Sequence, residues 1–177
     1  MLITVSGPPG SGTTTTAEHV AARLEVALVP GGEVFRAMAV ERGMTLSAFG
    51  RYATDHPEVD AELDTRLADR ARQGDVLIES RLAGWIAHNE GLVAVTAFID
   101  CAPAERARRV AAREGIDVDR AVADNDERQR VERRRYLALY GIDIEDRSIY
   151  DLVLDSGALL PDALADIIVG AATARFP

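Results

Sequence analysis

Residues 7–14 read GPPGSGTT, with glycines at 7, 10 and 12 and hydroxyl side chains at 11, 13 and 14. This is the length and glycine placement of a phosphate-cradling loop, G-x-x-x-x-G-K-[ST], except that Thr13 stands where the pattern puts lysine. Such a loop works mainly through its backbone. Glycines let successive N–H groups turn inward around an anion, and the helix that follows adds unpaired amides and a positive dipole end. Gly7 opens the turn; Pro8 and Pro9 stiffen its first half but donate nothing, which leaves Gly10, Ser11, Gly12, Thr13 and Thr14 as donors, with Thr15 continuing into the helix. Thr14 falls at the position whose hydroxyl ligates Mg²⁺. The substitution removes a charge aimed at the β- and γ-phosphates of a nucleoside triphosphate. A hydrogen bond to a charged group contributes about 1.5–3 kcal/mol, so one or two well-aimed arginines can offset the loss.

Arginine is the only long cation available. All 20 basic residues are Arg, and the chain contains no lysine. The richest segment is DNDERQRVERRRYLALYGIDI, where Arg128, Glu132 and Arg135 are spaced at four and then three residues and so share a helix face, while Arg130, Arg133 and Arg134 lie on others. A solvated helix laced with ion pairs is the competing reading of this run. Phosphoryl transfer asks a protein to align donor and acceptor, spread charge and exclude water, and lid arginines do the last two. Arg128 and Arg133 are therefore expected to stabilise the transferred group. Arg36, in GEVFRAMA, and Arg81, after DVLIES, are each placed to fork an acceptor phosphate. Glu79 closes an apolar strand and is expected to help hold Mg²⁺ through water. Asp60 and Asp64, in VDAELD, are four apart and within reach of a ribose or base, although a solvated helix face explains them as well; Asp60 is taken as the substrate contact. His19, His56 and His88 show no ligand spacing, and Trp85 and Cys101 read as packing residues.

These side chains need a frame. At 177 residues, 47% hydrophobic and 28% charged, the chain is expected to form one globular domain. Leu2–Ser6, 26–29, 75–79, 93–100 and 149–155 read as strands, and 15–25, 103–113, 126–140 and 164–174 as helices. Strands separated by helices imply parallel pairing, hence a doubly wound α/β sheet of about five strands whose ligands gather at the carboxyl edge. The wholly helical stretch 33–73 is too long for one crossover and reads as an inserted substrate lobe. Residues 113–126, charged and poor in apolar residues, read as a short lid.

The 29 acidic residues give a formal net charge of −9. An acidic surface repels polyanions, so nucleic acid and anionic membranes are not expected partners, whereas small phosphates held by local arginines are. The same balance suits a salt-rich cytoplasm, where screening mutes self-repulsion. One cysteine permits no intramolecular disulfide, and no apolar run is long enough to span a membrane, so a cytoplasmic protein is expected, working as a monomer.

Together, GPPGSGTTT, GEVFRAMAVERGMTLSAFGRYA, VDAELD, ESRLAGW, ERARRVAAREGI and ERRRYLALYGIDIEDRSIYDLVLDS resemble archaeal-type cytidylate kinase, a P-loop nucleoside monophosphate kinase, over residues 3 to about 156. The family is similar to this chain in tolerating GTTT in its phosphate loop. The resemblance implies a P-loop kinase core with a monophosphate-binding insertion and a lid, moving the γ-phosphoryl of ATP to CMP or dCMP with Mg²⁺. It implies ATP on residues 7–15, the CMP phosphate on Arg36 and Arg81, and phosphate and ribose contacts from Arg128, Glu132 and Arg135. Ser80 departs from an expected glycine, Pro30 from a small residue, and Leu82 from the aspartate that reads the base in bacterial relatives. A kinase with AMP or UMP as acceptor, and a non-catalytic nucleotide switch, are the rival readings. Without lysine no N-K-x-D guanine signature is possible, and a switch leaves the acceptor-side arginines without a purpose. The charge balance predicts a melting temperature that rises from dilute buffer to molar salt; an unchanged value across that range contradicts it.

Overall fold

Leu2–Ser6 (β1) is buried at every position, as a strand with neighbours on both edges and helices on both faces must be. A computed structural model describes residues 1–177 and sets β1 at the centre of a five-stranded sheet of order β2-β3-β1-β4-β5, all parallel. The other strands are Ala27–Pro30 (β2), Val76–Glu79 (β3), Val95–Asp100 (β4) and Leu152–Asp155 (β5). Alternation divides them between two cores. Ile3, Val5, Leu77, Val95, Ala97 and Ile99 face helices α1 (Thr13–Leu24) and α8 (Pro161–Arg175), while Leu2, Val76 and Ile78 face α4 (Glu58–Arg72) and α5 (Ala83–Asn89). Each fully buried aliphatic side chain contributes about 1.5–3 kcal/mol. In the edge strand β5 half-buried and exposed residues alternate, as expected with one free edge.

The sheet's carboxyl ends lie level. Val5 pairs with Glu79, Pro30 with Glu79, and Asp100 with Asp155, so the residues after each strand meet at one rim. Between β2 and β3 the chain makes α2 (Gly31–Glu41), α3 (Leu46–Asp55) and α4, broken at Gly43 with φ 63° and at His56-Pro57. This insertion has a small core of its own, Met38, Ala39, Phe49, Ala53 and Val59. It joins the sheet through α2 against β2 and α4 against β3.

Three expectations about elements are corrected. α5 is a helix that follows β3 directly and was not anticipated. The helix expected over 126–140 begins eight residues earlier, at Val118: α6 (Pro103–Glu114) turns at Gly115, φ 67°, into a 23-residue α7 (Val118–Tyr140), so the segment 113–126 lies in the α6–α7 hairpin. Asp117 caps α7 by accepting from the N–H groups of Asp119 (2.8 Å) and Arg120 (3.4 Å). Its buried stripe is Ala121, Asn125, Glu132 and Tyr136, two of them polar, so hydrophobic periodicity does not reveal its first turns. β5 starts at Leu152, three residues later than the apolar pattern suggests. No helix is long and apolar enough to cross a membrane.

The tightest joint in the frame is Gly84 on α5. A Cβ there would lie 2.3 Å from Cε1 of Tyr150, and the Gly84 N–H donates to Ser6 Oγ at 3.2 Å. Gly84→Ala should lower stability by about 1–3 kcal/mol through overpacking, read as a drop in denaturation midpoint with an unchanged slope; an unaltered midpoint would show that the Tyr150 ring gives way freely.

Candidate active site

The loop between β1 and α1 is shaped by glycine where nothing else fits. A Cβ at Gly7 would sit 2.5 Å from the Ile99 carbonyl oxygen and 2.7 Å from Ser11 Oγ; Gly10 and Gly12 have φ 79° and 88°. Gly12 is the N-cap of α1 and brings no side-chain cap, so the amides of the first turn are left to an external acceptor. The Ser11 and Thr16 hydroxyls are buried without partners beside them. A cradle of unpaired donors that a Cβ would fill suits a polyphosphate.

Thr13 does not point at this cradle with a charge. Its hydroxyl donates to Glu79 Oε1 at 2.7 Å, across the ends of β1 and β3. Thr14 and Thr15 are exposed on the first turn. No group of three or more acidic, His or Cys side chains forms a metal cage. A hydroxyl and a carboxylate at a phosphate loop nevertheless fit Mg²⁺, which keeps most of its waters and takes only one or two carboxylates together with substrate phosphates.

Guanidinium groups surround the loop. Arg81, immediately beyond β3, donates Nη1 to the Gly7 carbonyl at 2.6 Å and Nε to Glu132 at 3.0 Å. Arg128 donates to the other Glu132 oxygen at 2.8 Å. Burial pushes the Glu132 carboxyl upward, but Arg81 and Arg128 outweigh it and hold the group below its ordinary range, so it is ionised. Arg106 on α6, only 4% exposed, reaches Pro9 O at 3.4 Å and Gln129 at 3.1 Å, with its Nε unpaired; burial lowers its pKa. Arg109 is anchored on Ser156, Oγ at 3.0 Å and O at 2.9 Å, with its guanidinium 3.8 Å from the place a Cβ on Gly12 would occupy.

Beside the loop lies a cavity of about 360 Å³, walled by α2, α3, α4, the end of β3 and α7. Asp60, Arg81, Arg128, Glu132 and Arg135 all line it, so five of the expected acceptor-side and lid residues meet at one place. Arg135 pairs with Asp60 at 3.3 Å and lies 5.1 Å from the Tyr136 ring centre. Two residues are not brought there. Arg133 faces away, ion-paired with Asp143 at 2.6 Å and with Glu145, on the opposite side of α7. Arg36 is 57% exposed and 3.9 Å from Glu33, outside the cavity lining but with Nη1 3.7 Å from the place a Cβ on Gly32, a lining residue, would occupy. Sequence reasoning missed Arg106, Arg109 and the Thr13–Glu79 contact. ERARRV reads as a helical charge run, and no spacing rule marks which of its guanidiniums turns inward.

An AAA domain model matches residues 3–132. The cytidylate kinase of Thermococcus kodakarensis is 46% identical over 171 residues, covering 97% of this chain and 87% of that protein. The chain belongs to the cytidylate kinase family. Other members include the cytidylate kinases of Halobacterium salinarum, 40% identical over 98% of this chain and 90% of the relative, and of Methanocaldococcus jannaschii, 41% identical over 97% of each. Solved structures share the fold: a protein from Eubacterium ventriosum at TM-score 0.76 and 18% identity, with 99% of both chains covered, and the shikimate kinase of Bacteroides thetaiotaomicron at 0.63 and 14%, with 98% and 96% covered.

Asp64 also lines the cavity, with one carboxyl oxygen buried and unpaired. Burial pushes it up to about 6; Asp60 adds to the rise, while Tyr140 and Arg135 oppose it. A carboxyl raised above its unfolded value of 3.8 favours the fold while protonated, and that contribution is lost as pH rises through about 6. Asp64→Asn should therefore stabilise the cytidylate kinase fold by roughly 1–3 kcal/mol at pH 7.5 and by little at pH 4. Melting curves at the two pH values check this; equal shifts at both contradict it.

Proposed function

We propose that this protein transfers the γ-phosphoryl group of ATP to CMP or dCMP, giving ADP and CDP or dCDP. The observation that carries the reading is Arg81, one guanidinium that touches the phosphate loop at Gly7 and the wall of the adjacent cavity at Glu132. A donor on the loop and an acceptor in the cavity would share that charge at the point where they meet.

The triphosphate is held by the amides of Gly10–Thr14, with Arg106 and Arg109 of α6 standing in for the missing lysine, the first beside Pro9 and the second beside Gly12. Mg²⁺, when bound, neutralises phosphate charge; Glu79 and the threonine hydroxyls at 13 and 14 are the groups that would hold it. The acceptor lies in the α2–α4 insertion against α7, its phosphate toward Arg81 and Arg128. An acceptor phosphate oxygen forms the new bond to the γ-phosphorus as the bond to the β-bridging oxygen breaks, and ADP leaves. The nucleophile is already an anion, so no general base is required. Arg81 and Arg128 spread the charge of the transferring group, and the α6–α7 hairpin excludes water as it closes. Arg133, drawn off by Asp143 and Glu145, has no part in this arrangement. Arg36, exposed beside Gly32 at the α2 edge of the cavity, is available to the acceptor phosphate. We further propose a monomer working in a salt-rich cytoplasm, a reading supported by the net charge of −9.

A coupled ADP-release assay over AMP, GMP, UMP, CMP and dCMP should show a preference for the cytidine acceptors, and a preference for another base would overturn the reading. Arg81→Ala should lower kcat/KM by about 10²-fold or more, with KM for both ATP and CMP affected, since its guanidinium serves both sites. A loss confined to one substrate would contradict the bridging role.

A further inference from the structure

Arg106 is the one arginine the fold buries, and no carboxylate bonds to it. Its hydrogen bonds go to neutral oxygens. Nη1 donates to the Pro9 carbonyl at 3.4 Å and Nη2 to Gln129 Oε1 at 3.1 Å, while Nε has no partner. Burial lowers its pKa; Cys101, Asp100 and Asp126 oppose the drop without bonding to it, and Arg81 adds to it. A guanidinium stays protonated under such a shift, so the charge is present and uncancelled. Other arginines near the site already face carboxylates: Arg81 and Arg128 face Glu132, Arg109 faces Glu105, and Arg135 faces Asp60. A cation taken out of water without a counter-ion is costly, and this one is set against the loop whose amides await an acceptor.

Gln129 decides how that charge is held. It sits on α7 about one turn before Glu132, between two partners of opposite kind. Glu145, in the loop after α7 and ion-paired with Arg133, accepts from Gln129 Nε2 at 3.2 Å. A carboxylate takes only donors, so this contact turns the amide nitrogen toward Glu145 and leaves Oε1 facing the guanidinium. The amide thereby gives Arg106 a hydrogen bond without giving it a negative charge. A carboxylate at 129 would cancel Arg106 where it stands. An apolar side chain there would leave it only the long Pro9 contact.

Resting on the reading of residues 7–15 as the ATP site, with Arg106 part of its counter-charge, we propose that Gln129 is a positioning residue for phosphoryl transfer. Its neutral amide fastens Arg106 beside Pro9 and keeps the guanidinium's charge free for the triphosphate. Gln129 touches no substrate and acts only through Arg106. Glutamate has nearly the same shape as glutamine, so the two differ at this place chiefly in charge. A strut that merely joined α6 to α7 would need the hydrogen bonds alone, and a carboxylate would serve it equally well once position 145 became a donor.

The test measures Kd for ATP with Mg²⁺ by calorimetry without acceptor, and KM for CMP, in the unmodified enzyme, Gln129→Glu, Gln129→Met and the double variant Gln129→Glu/Glu145→Gln. In the double variant the new carboxylate accepts from Arg106 and from the new amide at 145, so both hydrogen bonds return while the charge stays cancelled. Gln129→Glu and the double variant should each raise Kd for ATP about tenfold or more, and Gln129→Met about threefold or more, with KM for CMP within about twofold throughout. A double variant that binds ATP as tightly as the unmodified enzyme makes Gln129 a strut and overturns the proposal. An unmoved Kd in folded Gln129→Met, or a KM for CMP that rises as far as Kd for ATP, overturns it as well, and each of these results leaves the CMP kinase reading intact. An unmodified protein that binds no ATP overturns both.

Discussion

The paired contact of Arg81 with Gly7 and Glu132 joins the three parts of the molecule that must act together. Gly7 belongs to the loop after β1, Arg81 follows β3, and Glu132 is midway along α7. The Glu132 side chain is only 10% exposed, so its ionised form depends on Arg81 and Arg128. A carboxylate stripped of water and left alone in that place would be costly, which is why the pair has to form with the fold rather than after it. Once formed, it fixes the distance between the phosphate loop and the cavity wall.

The absence of lysine reorganises the phosphate site rather than depleting it. An ammonium at position 13 would be a compact point charge on a flexible stem. In its place are planar guanidiniums anchored elsewhere, Arg106 on Pro9 and Gln129, Arg109 on Ser156. Because their stems come from α6, the charge on the loop depends on how α6 sits. The same helix packs on α7 through Ala107, Val110, Ala111 and Ala121, so the nucleotide's counter-charge and the cavity wall belong to one packed unit.

Much of this was legible in the sequence because it follows from short-range rules. LITVS, DVLIE and AVTAFID are apolar runs of strand length bounded by breakers, and the parallel sheet follows from the helices between them. GPPGSGTT announced its anion cradle through glycine spacing alone. The Arg128–Glu132–Arg135 face followed from helical geometry. Other features depend on contacts between distant segments. The start of α7 was hidden because its inward stripe includes two polar residues, Asn125 and Glu132, the second paired with Arg81 and Arg128 instead of joining an apolar core. Arg133 carries the same chemistry as Arg128; only the positions of Asp143 and Glu145 show that it turns away. Arg106 was one arginine among several in a charged helix until the packing of α6 against the loop singled it out.

The unbroken run of α7 has a mechanical consequence. At about 1.5 Å per residue its 23 residues form a rod of roughly 35 Å, and a tilt of about 10° at one end sweeps the other through about 6 Å. Asp117 and the turn with α6 are at one end, Tyr136 and Tyr140 at the other, with Arg128, Glu132 and Arg135 between. No kink or glycine interrupts the shaft to let its parts move separately. Arg128, Glu132 and Arg135 thus share one stiff shaft, and a tilt that shifts any of them carries the other two along.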